Sequence, residues 1–155
     1  MPGTADDQAT DVLAAFDAVV RAEKGLVGQL SARAGIHETG MRALTLIDDT
    51  GYSTATELAG YLGLTSGAVT NMVDRLTDAG LVERRPNPAD RRGSLIVLSP
   101  AGSSVIAGAR ARYASVLREV GASTGIDLAS VFNDVATGLL QQSADAQQGT
   151  DAQQA

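Results

Sequence analysis

Residues 66–79 combine hydroxyl, amide, carboxylate and guanidinium groups in an order that a helix would sort onto one side. At about 100° per residue, the polar residues fall in one half of the helical circumference and the aliphatic residues in the other. The polar half contains Ser66, Gly67, Thr70, Asn71, Asp74, Arg75, Thr77 and Asp78. The aliphatic half contains Ala68, Val69, Met72, Val73, Leu76 and Ala79. One side of this helix is therefore expected to pack, and the other to meet solvent or a polar partner.

The first turns of the polar half carry groups that suit nucleic-acid bases and phosphates. The hydroxyls of Thr65, Ser66 and Thr70 can bond phosphates or base edges. The amide of Asn71 can pair with adenine, and Gly67 lets the backbone approach a duplex closely. The positive end of the helix dipole also favours a phosphate beside Thr65 and Ser66. The alternative interpretation is an ordinary solvated face.

Basic residues continue the pattern beyond the first turns. Arg75 is expected to reach a phosphate, or instead to form a surface pair with Asp74 or Asp78. Two of the next arginines, Arg84 and Arg85, come within a short β-prone run and are predicted phosphate contacts.

The loop that follows, PNPADRRGS at residues 86–94, is rich in turn-forming residues and carries arginine at its tip. It separates β-prone runs at 82–85 and 95–98, which predicts a hairpin. Asp90, Arg91 and Arg92 place three charges at this tip, and Arg91 is a predicted phosphate contact. A local salt bridge on a solvated loop is the alternative.

Two short helices joined by a tight turn are predicted before this hairpin. Thr54 and Glu57 have the spacing of a capping box at the first helix, and Gly63 can end it in the left-handed conformation. Thr65 is the predicted N-cap of the helix at 66–79. This arrangement is that of a helix-turn-helix.

Longer helices are predicted on both sides. They cover residues 11–33, the segment from after Ile36 to before Gly51, a stretch from the Ser99-Pro100 pair to Gly121, and residues 126–140. Apolar residues recur at helical spacing in each. His37 is expected to be a surface or capping residue, although a role as an effector sensor or pH switch is the alternative.

Composition excludes several classes of protein. The 155 residues include no cysteine and one histidine, which excludes a thiolate metal site, a disulfide framework and a multi-histidine metal site in one chain. No P-loop, dinucleotide-binding or nucleophile-elbow motif is present, so we expect no cofactor and no enzymatic activity. The net charge is −6, but residues 65–98 carry +1 and the remainder −7. With no signal peptide or membrane-spanning run, the sequence predicts a cytoplasmic protein.

Residues 55–102 resemble the multiple-antibiotic-resistance regulator (MarR) family. The resemblance lies in ELA-x-x-LGL, VDRL-x-x-x-GLVERR, the D-R-R loop tip and L-S-P-x-G, in this order and spacing. It implies a mainly α fold with a small β-hairpin wing, in which Asp90 and Arg92 match the Asp-x-Arg wing motif. By this match, Asp90 would hold the Arg92 guanidinium in one orientation, so that the arginine enters a minor groove already ordered. It also implies a homodimer that binds pseudo-palindromic double-stranded DNA, usually as a repressor and often released by a small-molecule effector.

These observations predict five segments. They are a disordered tail at 1–10, a dimerisation helix at 11–35, a winged helix-turn-helix domain at 36–99, dimerisation helices at 100–141 and a disordered tail at 142–155. The predicted function is sequence-specific regulation of transcription. The alternative is a winged helix used only for contacts with proteins, which would more naturally expose apolar residues on its reading face.

Overall fold

The computed structural model describes residues 5–90 and 93–151, with side chains described for residues 8–90 and 93–145. The helices are α1 (Ala5–Arg33), α2 (Glu38–Thr50), α3 (Ala55–Leu62), α4 (Ser66–Asp78), α5 (Pro100–Thr124) and α6 (Leu128–Asp151), and the strands are β1 (Val82–Pro86) and β2 (Ser94–Leu98). The chain divides into two compact units, residues 1–109 and 110–155. The mainly helical fold with a small hairpin is the predicted one.

Side-chain caps define the two short helices of the first unit. The Thr54 hydroxyl accepts a hydrogen bond from the Glu57 N–H at 3.2 Å, and the Glu57 carboxylate accepts one from the Thr54 N–H at 2.7 Å, which confirms the predicted capping box. α3 then ends at Gly63, whose φ of 64° lies in the left-handed region. The hydroxyl of Thr65 accepts from the Ala68 N–H at 3.3 Å and begins α4, as predicted.

The core of the first unit lies between α2, α3, α4 and the hairpin. α4 contributes Val69, Val73 and Leu76, each at most 2% exposed. The other buried apolar residues of this core are Met41, Ala43, Leu44, Ile47, Leu58, Leu81, Val82, Ile96 and Ile106. Because three buried residues recur on one side of α4, the position and rotation of this helix are fixed by packing.

The hairpin pairs β1 with β2 in an antiparallel register from Val82↔Leu98 to Pro86↔Ser94. Each strand is one residue longer than predicted. Ser53, just before α3, adds an isolated bridge to Ile96 with backbone hydrogen bonds of 2.9 and 2.7 Å. The base of the hairpin is thereby joined to the start of α3.

A tight junction links α5 to the turn after α4. The Ser99 hydroxyl accepts from the Gly102 N–H at 3.0 Å, as expected for the predicted N-cap, and donates to the Gly80 carbonyl at 2.6 Å. The Ser99 N–H donates to the Leu81 carbonyl at 3.0 Å. The first turn of α5 therefore packs directly against the α4–β1 turn.

The predicted end of α5 is wrong by three residues. The helix continues through Gly121 to Thr124, and Gly125, with a φ of 68°, is the residue that ends it. The Asp127 carboxylate then accepts from the Ala129 N–H at 3.1 Å and caps α6, a cap that the prediction missed. A glycine ends a helix only where the chain turns, so Gly121 alone was a weak signal.

Both terminal helices extend into the segments predicted as disordered tails. α1 begins at Ala5 rather than near residue 11, and α6 ends at Asp151 rather than near residue 140. The added turns are rich in Ala and Gln, which have high helix propensity. The prediction of disorder rests on the polar character of these segments and their few bulky apolar residues. The boundaries of the five predicted segments otherwise stay predictions.

Candidate nucleic-acid interface

The outward side of α4 presents the predicted polar residues to solvent. Ser66, Thr70, Asn71 and Arg75 are exposed, while the opposite side of the helix lies in the core. Two alanines predicted on the packing side, Ala68 and Ala79, are exposed instead. They lie near the two ends of the helix, beyond the three residues that contact the core.

Hydrogen bonds within α4 define what two of its side chains can still do. The Thr70 hydroxyl donates to the Ser66 carbonyl at 3.0 Å, so its hydrogen is engaged and its lone pairs can accept from a donor outside the protein. Within the described part of the chain, the Asn71 amide has no hydrogen-bond partner. Its carbonyl and amino groups can therefore both pair with a base edge.

One groove brings together residues from α3, α4 and the hairpin. It has a volume of about 660 Å³, and its lining includes Thr70, Arg84 and Asp90 from the predicted set. The start of α3 contributes Thr54, Ala55 and Thr56, and the hairpin adds Asn87, Gly93 and Ser94. The sequence placed no binding residue at the start of α3, because its capping box was interpreted only as a helix signal.

An ion pair crosses this groove. Nη2 of Arg84 lies 2.8 Å from Oδ1 of Asp74, and both side chains are about half exposed, at 41% and 49%. The sequence offered Asp74 only as a partner of Arg75. Adjacent residues on a helix do not face each other, whereas the hairpin brings Arg84 back to α4 from ten positions further along the chain.

The remaining predicted arginines are placed differently. Arg75 has no ion-pair partner among the described residues, and its predicted phosphate contact stays a prediction. Arg85 pairs with Glu83 at 3.3 Å on the exposed edge of β1. Arg91 and Arg92 lie outside the described residues, so their predicted contacts stay predictions.

The loop of the hairpin has its own local hydrogen bonds. The Asn87 side-chain oxygen accepts from the Ala89 N–H at 3.0 Å, and the Asp90 carbonyl accepts from the Gly93 N–H at 3.1 Å. A Cβ on Gly93 would lie 3.4 Å from a carboxylate oxygen of Asp90 and 3.9 Å from the Asn87 amide nitrogen. Asn87 and Asp90 thus converge on one point of the loop, whereas the sequence predicts a role for Asp90 and none for Asn87.

A second groove of about 490 Å³ lies between the start of α2 and the other flank of α4. Its lining includes His37, Asn71, Met72 and Arg75. His37 is the N-cap of α2: its Nδ1 accepts from the Thr39 N–H at 3.3 Å. The structure therefore confirms the capping role predicted for this histidine.

The remaining features of the described residues concern one shifted pKa, metal-binding clusters and membrane-spanning helices. The backbone N–H of Thr54, and then its hydroxyl, hold the pKa of the Glu57 carboxyl below its ordinary value. No cluster of three or more acidic, histidine or cysteine side chains that could hold a metal ion occurs in the described ranges. Over the same ranges, no helix combines the length and apolar character needed to cross a bilayer.

Residues 36–94, which include α2, α3, α4 and the hairpin, match the model of the MarR family. The chain is 41% identical over 70 residues to the multiple antibiotic resistance protein MarR of Salmonella typhimurium, covering 45% of this chain and 49% of that protein. Over residues 36–94, the chain is therefore similar to the MarR family, and α1, α5 and α6 lie outside that match. Against MarR of Escherichia coli, the identity is 46% over 52 residues, covering 34% of this chain and 36% of the relative.

The fold of MarR extends beyond this shared segment. The structure of a mutant MarR of E. coli complexed with operator DNA matches with a TM-score of 0.60 and 24% identity, covering 89% of this chain and 99% of that one. That likeness shows the fold. In sequence, the chain spans about half the length of the S. typhimurium MarR that it matches.

Proposed function

We propose that this protein regulates transcription by binding double-stranded DNA at specific sequences, with α4 in the major groove. One observation carries the proposal: α4 is held by three buried aliphatic residues while its hydroxyl, amide and guanidinium groups stay exposed. A recognition helix needs this separation, because the groups that read base edges must project from a rigidly held backbone.

The groove beside α4 supports the same proposal. It joins Thr70 and Arg84 to the start of α3, where the first-turn backbone N–H groups and the Thr56 hydroxyl suit a phosphate. The hairpin tip would lie over the adjacent minor groove, with Arg92 as the inserted side chain and Asp90 as its support. Thr65, Ser66, Gly67, Asn71, Arg75 and Arg91 complete the proposed DNA contacts.

The E. coli MarR solved with operator DNA supports DNA as the ligand. This chain shares the fold of that structure and is 46% identical to E. coli MarR over 52 residues. A winged helix that served only protein contacts would expose apolar side chains on α4. The exposed side of α4 instead carries polar residues and small alanines.

A homodimer is the second part of the proposal. α1 exposes an apolar stripe in which Val12, Leu13, Phe16, Val19 and Val20 are 41–69% exposed. In the second unit, α6 exposes another, formed by Val131, Phe132, Val135 and Leu139. Contiguous apolar stripes of this size are rarely left in water, and a second copy of the chain would cover them.

Two-fold symmetry sets the expected DNA site. A dimer carries two copies of α4, so its operator should be a pseudo-palindrome whose half-sites are about one helical turn apart. Action as a repressor and release by a small-molecule effector are finer parts of the proposal, and they rest on the family resemblance. A cytoplasmic location stays a prediction from the sequence.

The decisive experiment is selection of genomic DNA fragments by the full-length protein, followed by gel shifts with the recovered fragment at two salt concentrations. We expect a complex that resists competitor DNA and weakens with salt, because bound arginines release counterions. Asn71→Ala should weaken the complex, whereas Ser104→Ala, an exposed hydroxyl of α5 outside both grooves, should not. Recovery of no fragment above background would reject the proposal, and a single asymmetric footprint would reject the dimeric operator.

A further inference from the structure

The Asp74 carboxylate lies in the groove proposed to face DNA, where a negative charge repels phosphates. Asp74 is held on α4 directly after buried Val73, so its backbone position is fixed by the core. A carboxylate in this place weakens attraction to every nucleic acid, so the question is which specific contact this carboxylate makes.

The Asp74 carboxylate contacts an arginine of the hairpin. Oδ1 of Asp74 accepts a hydrogen bond from Nη2 of Arg84 at 2.8 Å, the distance of a strong charge-assisted bond. Arg84 lies on β1 opposite Ile96, which is 1% exposed. The sheet therefore holds the backbone of Arg84, and Asp74 of α4 holds its guanidinium. A guanidinium has five N–H donors, and most remain for a phosphate.

We propose that Asp74 is a positioning residue for DNA recognition: it holds the Arg84 guanidinium at one point of the groove between α4 and the hairpin, and thereby favours the specific register over non-specific complexes. This inference rests on the proposed function. An arginine whose guanidinium moves freely can contact a phosphate wherever α4 is placed along the duplex. An arginine held at one point contacts a phosphate in one register, and the carboxylate beside it opposes the others.

The surroundings of this pair differ from those of a second ion pair, between Glu83 and Arg85. Glu83 and Arg85 are neighbours on the exposed edge of the same strand, 3.3 Å apart, and connect no two elements. The Asp74–Arg84 pair joins the recognition helix to the wing. It therefore fixes the group that contacts a phosphate relative to the groups that read bases.

The test compares Asp74→Asn with Asp78→Asn. Both remove one negative charge from α4, and Asp78 lies one turn further along, exposed and without an ion-pair partner among the described residues. Dissociation constants are measured for the genomic fragment recovered by selection and for a shuffled duplex of the same composition. We expect Asp74→Asn to lower the ratio of specific to non-specific affinity about tenfold, mainly by strengthening non-specific binding. Asp78→Asn should strengthen both and leave the ratio unchanged.

A double-mutant cycle separates positioning from a general effect of charge. If Asp74 acts through Arg84, then Asp74→Asn changes the ratio in the wild-type background and not in an Arg84→Gln background. An equal change in both backgrounds, or a ratio equal to that of Asp78→Asn, overturns the inference while leaving the proposed function intact. If the wild-type protein does not distinguish the two duplexes, the proposed function fails and the inference fails with it. Urea denaturation of each variant confirms that the comparison is made between folded proteins.

Discussion

Among the described glycines, Gly102 is the one at which an added Cβ would meet the shortest contact. A Cβ built on this residue would overlap the Leu81 carbonyl oxygen, and it would lie 3.1 Å from the Leu81 carbonyl carbon and 3.4 Å from Cδ2 of Leu98. The obstacle is mainly backbone, so no side-chain rotation relieves it. In Gly102→Ala, the first turn of α5 must move away from the α4–β1 turn.

The cost can be worked out from what that movement breaks. Overpacking in a rigid core costs about 1–3 kcal/mol. The same turn holds three hydrogen bonds of Ser99, to the Leu81 carbonyl, the Gly80 carbonyl and the Gly102 N–H, each contributing about 1 kcal/mol net. Alanine gains up to about 1 kcal/mol in helix propensity. We therefore expect a loss of about 3 kcal/mol, a large part of the 5–15 kcal/mol typical of a folded domain.

The assay is urea denaturation followed by far-ultraviolet circular dichroism at one protein concentration. With a typical slope of about 2 kcal/mol per molar urea, the midpoint of Gly102→Ala should fall by more than about 1 M. The matched control is Gly108→Ala, in the same helix, where a Cβ meets nothing within 4 Å. Gly108→Ala should be neutral or slightly stabilising. Equal midpoints for the two variants would refute the reasoning, because helix propensity alone would then account for both.

Three further predictions concern the wing, the dimer and the cap of α3. Arg92→Ala should weaken binding to the selected DNA by about 1–3 kcal/mol in gel shifts without changing the urea midpoint, and wild-type affinity would contradict the wing assignment. Phe16→Glu should raise the dimer dissociation constant at least about a hundredfold in sedimentation velocity, since it puts a charge into the apolar stripe of α1, and an unchanged dimer would exclude that stripe from the interface. Glu57→Gln should lower the urea midpoint by less than about 0.5 M at neutral pH. Because folding lowers the pKa of Glu57, the difference in urea midpoint between wild type and Glu57→Gln is fully present above the ordinary pKa of 4.5 and should disappear as the pH falls through the folded-state pKa. A difference in midpoint that persists in acid would show that the ionised carboxylate is not its cause.

Local signals in the sequence were sufficient for the elements that position the candidate site. The Thr54–Glu57 capping box, the Thr65 cap and the Gly63 stop each depend on residues within four positions of one another, and each is present in the structure. The aliphatic period of α4 likewise predicted which side is buried, with errors only near the ends at Ala68 and Ala79. Such features are predictable because their energies are decided within one or two turns of chain.

Features that depend on distant parts of the chain were not predictable in this way. The Asp74–Arg84 pair depends on the return of the hairpin to α4, and the contact between Gly102 and Leu81 depends on the close approach of α5. The end of α5 was misplaced because Gly121 and Gly125 look alike in sequence, and only the backbone at Gly125 takes a positive φ. Tertiary packing, rather than local propensity, decides each of these cases.

Helix α4 and the hairpin are joined so closely that they should approach a ligand as one body. Ser53 links the start of α3 to β2 through its bridge to Ile96, and Ser99 links the end of β2 to the turn after α4. Asp74 and Arg84 add a third link, across the groove itself. A change in the distance between α4 and the base of the hairpin would have to break at least one of these links, two of which are made by serines that are almost fully buried. Because this spacing is set before binding, little conformational entropy remains to be lost in ordering it, and the affinity should depend on how well a duplex matches the preset separation of helix and wing.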